Sequence, residues 1–214
     1  DYRSSRGLGD VYKRQTPIPR TLQMALSGVR EMSLIATPPV DRLAVRTFVG
    51  PWDGVVLREA IKREMFRGGQ VFCVCPRIDD LQRVFDRLTT LVPEARILSA
   101  HGRMPAAELD DVMTKFADGE ADILLSTNIV ESGIDIPTAN TMIIHRSDMF
   151  GLSQLYQLRG RVGRGRQRAY AYLTSDPNRL LTPQARRRLE VMQTLDTLGA
   201  GFTLASYDLS LIHI

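Results

Sequence analysis

Ala121–Arg164 reads ADILLSTNIVESGIDIPTANTMIIHRSDMFGLSQLYQLRGRVGR, and two short apolar runs in it decide the fold. Ile123, Leu124 and Leu125 form one run and Thr141, Met142, Ile143 and Ile144 the other, each the length of a strand buried on both faces. Between them Gly133 and Pro137 bracket Asp135. The chain is therefore expected to turn at the carboxyl end of a strand, where α/β sheets place their ligands. A helix should follow, with Ser153 as its N-cap. On that helix Gln157, Arg161 and Arg164 fall at i, i+4 and i+7, so one face would present an amide and two guanidinium groups suited to a phosphate.

The same alternation extends outward on both sides. Upstream, Val56, Leu57, Ala60, Ile61 and Met65 have a helical period that Gly68 and Gly69 end. Gln70 to Cys75 reads as a buried strand, and Leu81, Val84, Phe85, Leu88 and Leu91 as a helix. Arg96 to Ser99 supplies another strand, and Leu109, Val112, Met113 and Phe116 another helix, up to Gly119. Downstream, Ala169 to Thr174 is a strand whose Tyr170 and Tyr172 share a face, a pattern expected of core. Thr182 and Pro183 open a last amphipathic helix, Pro183 to Leu198, with Ala185, Leu189, Met192 and Leu195 on its apolar stripe. Arg186, Arg187 and Arg188 begin beside that stripe as a solvated face. Strands alternating with helices of this length predict an α/β fold, a parallel sheet with helices on both faces.

The amino-terminal third is punctuated differently. Pro17 and Pro19 allow a helix only from about Arg20 to Ser27, Met32 to Ala36 reads as a short strand, and Leu43 to Val49 as another. Asp1 to Gln15 shows no sustained apolar period, and both it and Leu209 to Ile214 resemble translated adaptor sequence and are expected to be foreign.

Composition narrows the class. The net charge of +4 and pI near 9.3 fit a partner with phosphates but only mildly. All but three of the 28 basic residues are arginine, the exceptions being Lys13, Lys62 and Lys115. Cys73 and Cys75 alternate along a strand with no further ligands near them, so buried thiols are expected rather than a metal site. The apolar runs are too short to span a membrane, and a cytoplasmic location is expected.

Gln157, Gly160, Arg161, Gly163 and Arg164 match the Q-x-x-G-R-x-G-R signature of the superfamily 2 helicases, and Thr127, Gly133 and Asp135 resemble the element that precedes it there. The resemblance implies a RecA-like fold of P-loop NTPase type. It implies that Arg161 and Arg164 are catalytic, reaching the γ-phosphate of ATP, with Gly133, Asp135 and Gln157 also on the nucleotide side. It places Arg77, His101 and Thr127 on the DNA backbone. A guanidinium at the γ-phosphate would stabilise the charge that shifts during phosphoryl transfer. A solvated basic helix face is the alternative for the two arginines. Against it stand Gly160 and Gly163, which inside a helix would each cost about 1 kcal/mol relative to alanine.

Three further runs, STNIVESGIDIPTANTMII, FGLSQLYQLRGRVGRG and LGAGFTLASYDL, are very similar to the family of bacterial transcription-repair coupling factors, and the resemblance covers Thr16 to Asp208. It implies ATP-driven movement on double-stranded DNA. It also implies contact with RNA polymerase and excision-repair proteins through domains outside this chain. The sequence has no G-x-x-x-x-G-K-[ST] loop and no Asp-Glu pair, so ATP and Mg2+ are expected to be bound mainly by a first motor domain upstream. The isolated chain is expected to be inactive. On this reading residues 16–54 are the end of a motor-domain-1 motif and a hinge, 55–178 the helicase C-terminal domain, and 179–208 the start of a helical translocation element. Arg20, Leu189 and Met192 would couple hydrolysis to movement. A RecG-like branch-migration helicase and a non-catalytic RecA-like nucleic-acid-binding module remain as alternatives.

Overall fold

The computed structural model describes residues 43–127, 136–165 and 167–194. Outside them lie Arg20, Gly133, Asp135, the segments expected to be foreign, the early helix and the Met32 to Ala36 strand, and everything after Thr194. Among the described residues six strands make one parallel sheet: β1 (Arg46–Pro51), β2 (Gln70–Val74), β3 (Ile97–Ala100), β4 (Ile123–Ser126), β5 (Ala139–Ile144) and β6 (Tyr170–Ser175). Their spatial order is β1-β6-β5-β2-β4-β3. The helices are α1 (Gly54–Phe66), α2 (Leu81–Leu91), α3 (Ala106–Ala117), α4 (Leu152–Arg159) and α5 (Pro183–Thr194).

The period of two along the strands divides the core. Val71, Cys73, Ile123, Leu125, Ile143 and Tyr172 point to one face and pack on Leu57 and Ile61 of α1 and on Val84 and Leu88 of α2. Phe72, Val74, Leu124, Met142, Ile144 and Leu173 point to the other, against Phe116 of α3, Leu155 and Leu158 of α4, and Leu189 and Met192 of α5. β4 and β5 are buried at every position, as their unbroken apolar runs require. This is the RecA-like α/β sandwich expected from the sequence.

Local signals explain the element ends. Asp53 Oδ1 accepts from the Val55 amide at 2.8 Å and the Val56 amide at 3.3 Å, an N-cap for α1 worth about 1 kcal/mol. Thr182 Oγ1 accepts from the Ala185 amide at 3.2 Å and so starts α5. Tyr170 and Tyr172 belong to the core on the α1 side. The strand expected from Leu43 to Val49 instead begins at Arg46 and runs to Pro51, where β6 offers a parallel partner at each position. Cys73 and Cys75 are buried free thiols, and burial pushes Cys75 up to about 12, far from a reactive thiolate.

Candidate nucleotide and nucleic-acid edges

A parallel sheet has two unlike edges, and the candidate residues divide between them. Arg77 leaves β2, His101 leaves β3 and Thr127 leaves β4, all at the carboxyl edge. The registers Val74↔Ser126 and Ala100↔Ser126 put these exits at one level on three neighbouring strands. The Thr127 amide donates to Ala100 O at 3.3 Å, tying the loops after β3 and β4 together. Arg77 and Arg103 are exposed, whereas His101 and Thr127 are half-buried. Two buried polar atoms at this spot, Ser126 Oγ and His101 Nδ1, have no hydrogen-bond partner among the described residues. Unmet buried polar groups are rare in native proteins and fit a ligand rich in donors and acceptors. Ser126 was not singled out from the sequence, because the last residue of an apolar run reads as core.

The arginines sit at the opposite edge. α4 is capped by Gly151, whose amide donates to Gln154 Oε1 at 3.0 Å, and not by Ser153, which lies inside the first turn. The helix ends at Arg159. Gly160 is its C-cap, the Arg161 amide closes a turn on Leu158 O at 3.0 Å, and Gly163 takes φ +74°. Arg161 and Arg164 are therefore carried by a turn beyond the helix, not on a face shared with Gln157. The expected cost of two glycines inside a helix does not arise.

Each residue of the turn has a reason to be what it is. Gly160 stops the helix, and Val162, fully buried, anchors the turn in the core. Gly163 has the positive φ that glycine adopts without penalty. A Cβ at position 163 would also come within 2.9 Å of Ala169 Cβ and 3.3 Å of Val45 Cγ2. Val45 precedes β1 and Ala169 precedes β6. A Cβ at Gly165 would lie 3.5 Å from the carbonyl of Pro137, which precedes β5. The arginine turn is thus at the amino edge of β5, β6 and β1. Pro137 lies there too, while Gly133 and Asp135 of the turn expected after β4 lie outside the described residues. The chain leaves β4 at one edge and must enter the parallel β5 at the other. Six residues of β5 separate the edges by about 20 Å.

The profile of the helicase conserved C-terminal domain matches residues 55–166. The chain belongs to that family. Over 196 residues, 92% of this chain, it is 55% identical to the transcription-repair-coupling factor of Rickettsia bellii and 54% identical to that of Escherichia coli. It spans 18% and 17% of the length of those two relatives. Among solved structures, RecG bound to a three-way DNA junction is 40% identical with a TM-score of 0.75, covering 91% of this chain and 26% of that one. Saccharomyces cerevisiae Dbp5 bound to RNA and ADP BeF3 is 16% identical with a TM-score of 0.61, covering 92% of this chain and 53% of that one, a likeness of fold.

Two further residues of this helicase domain also went unremarked in the sequence. Arg159, at 6% exposure, donates from Nη1 to Thr47 Oγ1 at 3.3 Å and to Met192 O at 3.2 Å, with its guanidinium 4.9 Å from the Tyr156 ring centre. It stands at a variable position of the signature, so spacing gave it no weight. His145, just after β5, is buried edge-on to Trp52 with ring centres 5.2 Å apart, and neither ring nitrogen has a hydrogen-bond partner among the described residues. Burial pulls it down to about 4. Arg188, expected to be solvated, is half-buried and donates from Nη2 to Asp148 O at 2.9 Å. No cluster of three His, Cys, Asp or Glu among the described residues could hold a metal, and no described helix is long and apolar enough to cross a membrane.

Proposed function

We propose that this chain is the second motor domain of an ATP-dependent double-stranded DNA translocase of transcription-coupled repair, working in the cytoplasm. One observation carries the reading: two arginines are mounted on a turn that Gly163 lets press against the sheet, at the edge opposite three aligned loops with unmet polar atoms. On this reading the amino edge faces nucleotide and the carboxyl edge faces the DNA backbone. Arg161 and Arg164 are arginine fingers, and Gln157, Gly133 and Asp135 complete the nucleotide side. Arg77, His101 and Thr127 contact DNA, joined by Ser126.

Two half-buried guanidinium groups on a glycine-shaped turn suit a polyphosphate. ATP and Mg2+ would be held mainly by the first motor domain, with Mg2+ offsetting charge on the phosphates when bound. The arginines here would add fixed positive charge where negative charge develops. Domain limits of 55–178 for the motor and 179–208 for the start of a translocation element follow from the same reading, as does a coupling role for Arg20, Leu189 and Met192. RNA polymerase and excision-repair proteins would be met by other parts of the whole protein. The 40% identity with RecG keeps a branch-migration helicase as the second reading.

Arg164→Ala in the full-length protein is the direct test. ATP binding and DNA affinity should stay near wild type while DNA-stimulated hydrolysis falls by about 10³-fold, with Arg161→Ala behaving alike. Wild-type turnover in both variants would remove the amino edge from the chemistry.

A further inference from the structure

Resting on that reading of the amino edge, we infer that Glu64 and Arg67 are positioning residues that fix the arginine turn from the far face of the sheet. α1 packs on the face opposite α4, and its last residues reach round the amino edge. Glu64 is fully buried. Its carboxylate accepts Arg67 Nε at 3.0 Å and pairs with Arg67 Nη2, while Thr141 Oγ1 of β5 donates to the same Oε2. The remaining guanidinium nitrogen, Nη1, donates to Arg168 O at 2.8 Å. Arg168 lies four residues beyond Arg164.

The sequence around the pair is shaped to admit it. A Cβ at Gly69 would come within 1.8 Å of Glu64 Oε1, so only glycine leaves room for the carboxylate. The other lip of the edge is held as well. The Gln70 amide donates to Thr138 O at 2.9 Å, and Asn140 Nδ2 bridges Thr138 O at 3.1 Å and Gln167 Oε1 at 3.4 Å. The segment that enters β5 and the segment that follows the arginine turn are therefore fastened to each other and to the end of α1.

A buried ion pair is a poor choice for stability alone, since well-packed apolar residues of similar volume commonly do as well or better. What apolar residues cannot do is grip a backbone carbonyl at a fixed angle. Electrostatic catalysis needs its donors held in place before the charge develops, and a neighbouring hydrogen-bond network supplies that rigidity. Glu64 orients Arg67, and Arg67 fixes the strand of chain from which Arg161 and Arg164 project.

Two variants in the full-length protein test this, with saturating duplex DNA. Arg67→Lys keeps a positive charge beside Glu64 but loses the fork. Glu64→Gln/Arg67→Met removes both charges together, so no unpaired charge is left buried. Each should lower kcat for ATP by about 10- to 100-fold, with KM for ATP and DNA affinity within about twofold and Tm nearly unchanged. Arg63→Met should leave kcat unchanged, because Arg63 stacks 3.9 Å over Tyr170 and donates to the Tyr172 hydroxyl without touching the turn. Normal kcat in the folded double variant would overturn the proposal. So would a failure of both variants to fold, which would return the pair to a structural role. Wild-type turnover in Arg161→Ala and Arg164→Ala would instead overturn the reading beneath it, and the proposal with it.

Discussion

The two edges of the sheet are built by different means. At the carboxyl edge three loops leave adjacent parallel strands at one level, so Arg77, His101 and Thr127 are gathered by register alone. At the amino edge nothing is gathered for free. The chain must be turned by Gly163, sunk by Val162 and clipped through Arg67 to Arg168 O before Arg161 and Arg164 share a place. The difference teaches where each edge is vulnerable. The fold of the first should survive change in any one loop, whereas the second should depend on a few backbone positions.

α5 touches both edges, and truncating it is the largest single blow to the contrast. Its Arg188 reaches Asp148 O beyond the carboxyl end of β5, and near its other end Met192 O receives Arg159 beside β1. Leu189 and Met192 are buried against the sheet between these points. Leu189→Ala should cost roughly 2 to 5 kcal/mol of stability. If α5 only covers the sheet, ATPase, DNA affinity and translocation should fall together in the full-length protein. If it links the edges, DNA-stimulated ATPase should survive while displacement of a DNA-bound triplex strand is lost. A parallel fall of all three would leave the edges uncoupled through this helix.

Acid separates the edges in a second way. Both histidines among the described residues, His101 and His145, lie at the carboxyl edge. His145 is held near 4 in the fold, below its ordinary 6.5, because burial disfavours its charged form. Between those values the unfolded chain takes up a proton that the folded chain refuses. The cost of keeping His145 neutral should therefore be absent above pH 6.5 and grow as the pH drops toward 4, to about 3 kcal/mol from this residue. Denaturant midpoints at pH 7.5 and 4 should show this loss, and His145→Gln should flatten it. An equal pH slope in that variant would clear His145.

The sequence made one edge far easier to read than the other. Unbroken apolar runs at Ile123 and Thr141 announced buried parallel strands, and a parallel sheet places Arg77, His101 and Thr127 together without further information. The arginine spacing was misleading. Positions 157, 161 and 164 fit a helical period, yet Gly160 ends the helix and Gly163 reverses the chain, so the spacing belongs to a turn. Glycine in a signature can mean a close approach of backbone to sheet as readily as a helix tolerated at a cost, and only the contacts with Ala169 and Val45 decide. Glu64 and Arg67 were invisible for another reason. At i and i+3 on an amphipathic helix they read as a surface pair, and their burial comes from chain more than seventy residues away.

The smallest effect expected is at the carboxyl edge, and it bears most directly on what that edge binds. Ser126 Oγ is buried without a hydrogen-bond partner among the described residues, so Ser126→Ala should leave stability unchanged or raise it slightly. Thr127 is half-buried, and Thr127→Ala should be equally mild for the fold. Binding should respond in the opposite sense. If these hydroxyls donate to a DNA phosphate, each alanine should weaken duplex affinity by about 1 kcal/mol, uniformly across sequences, because backbone contacts carry no base information. Neither side chain is charged, so the salt slope of binding should keep its wild-type value, whereas Arg77→Ala should reduce it by about one. Unchanged affinity in the double alanine variant, with the fold intact, would leave the unmet atoms at this edge without a ligand and break the division of labour between the two edges.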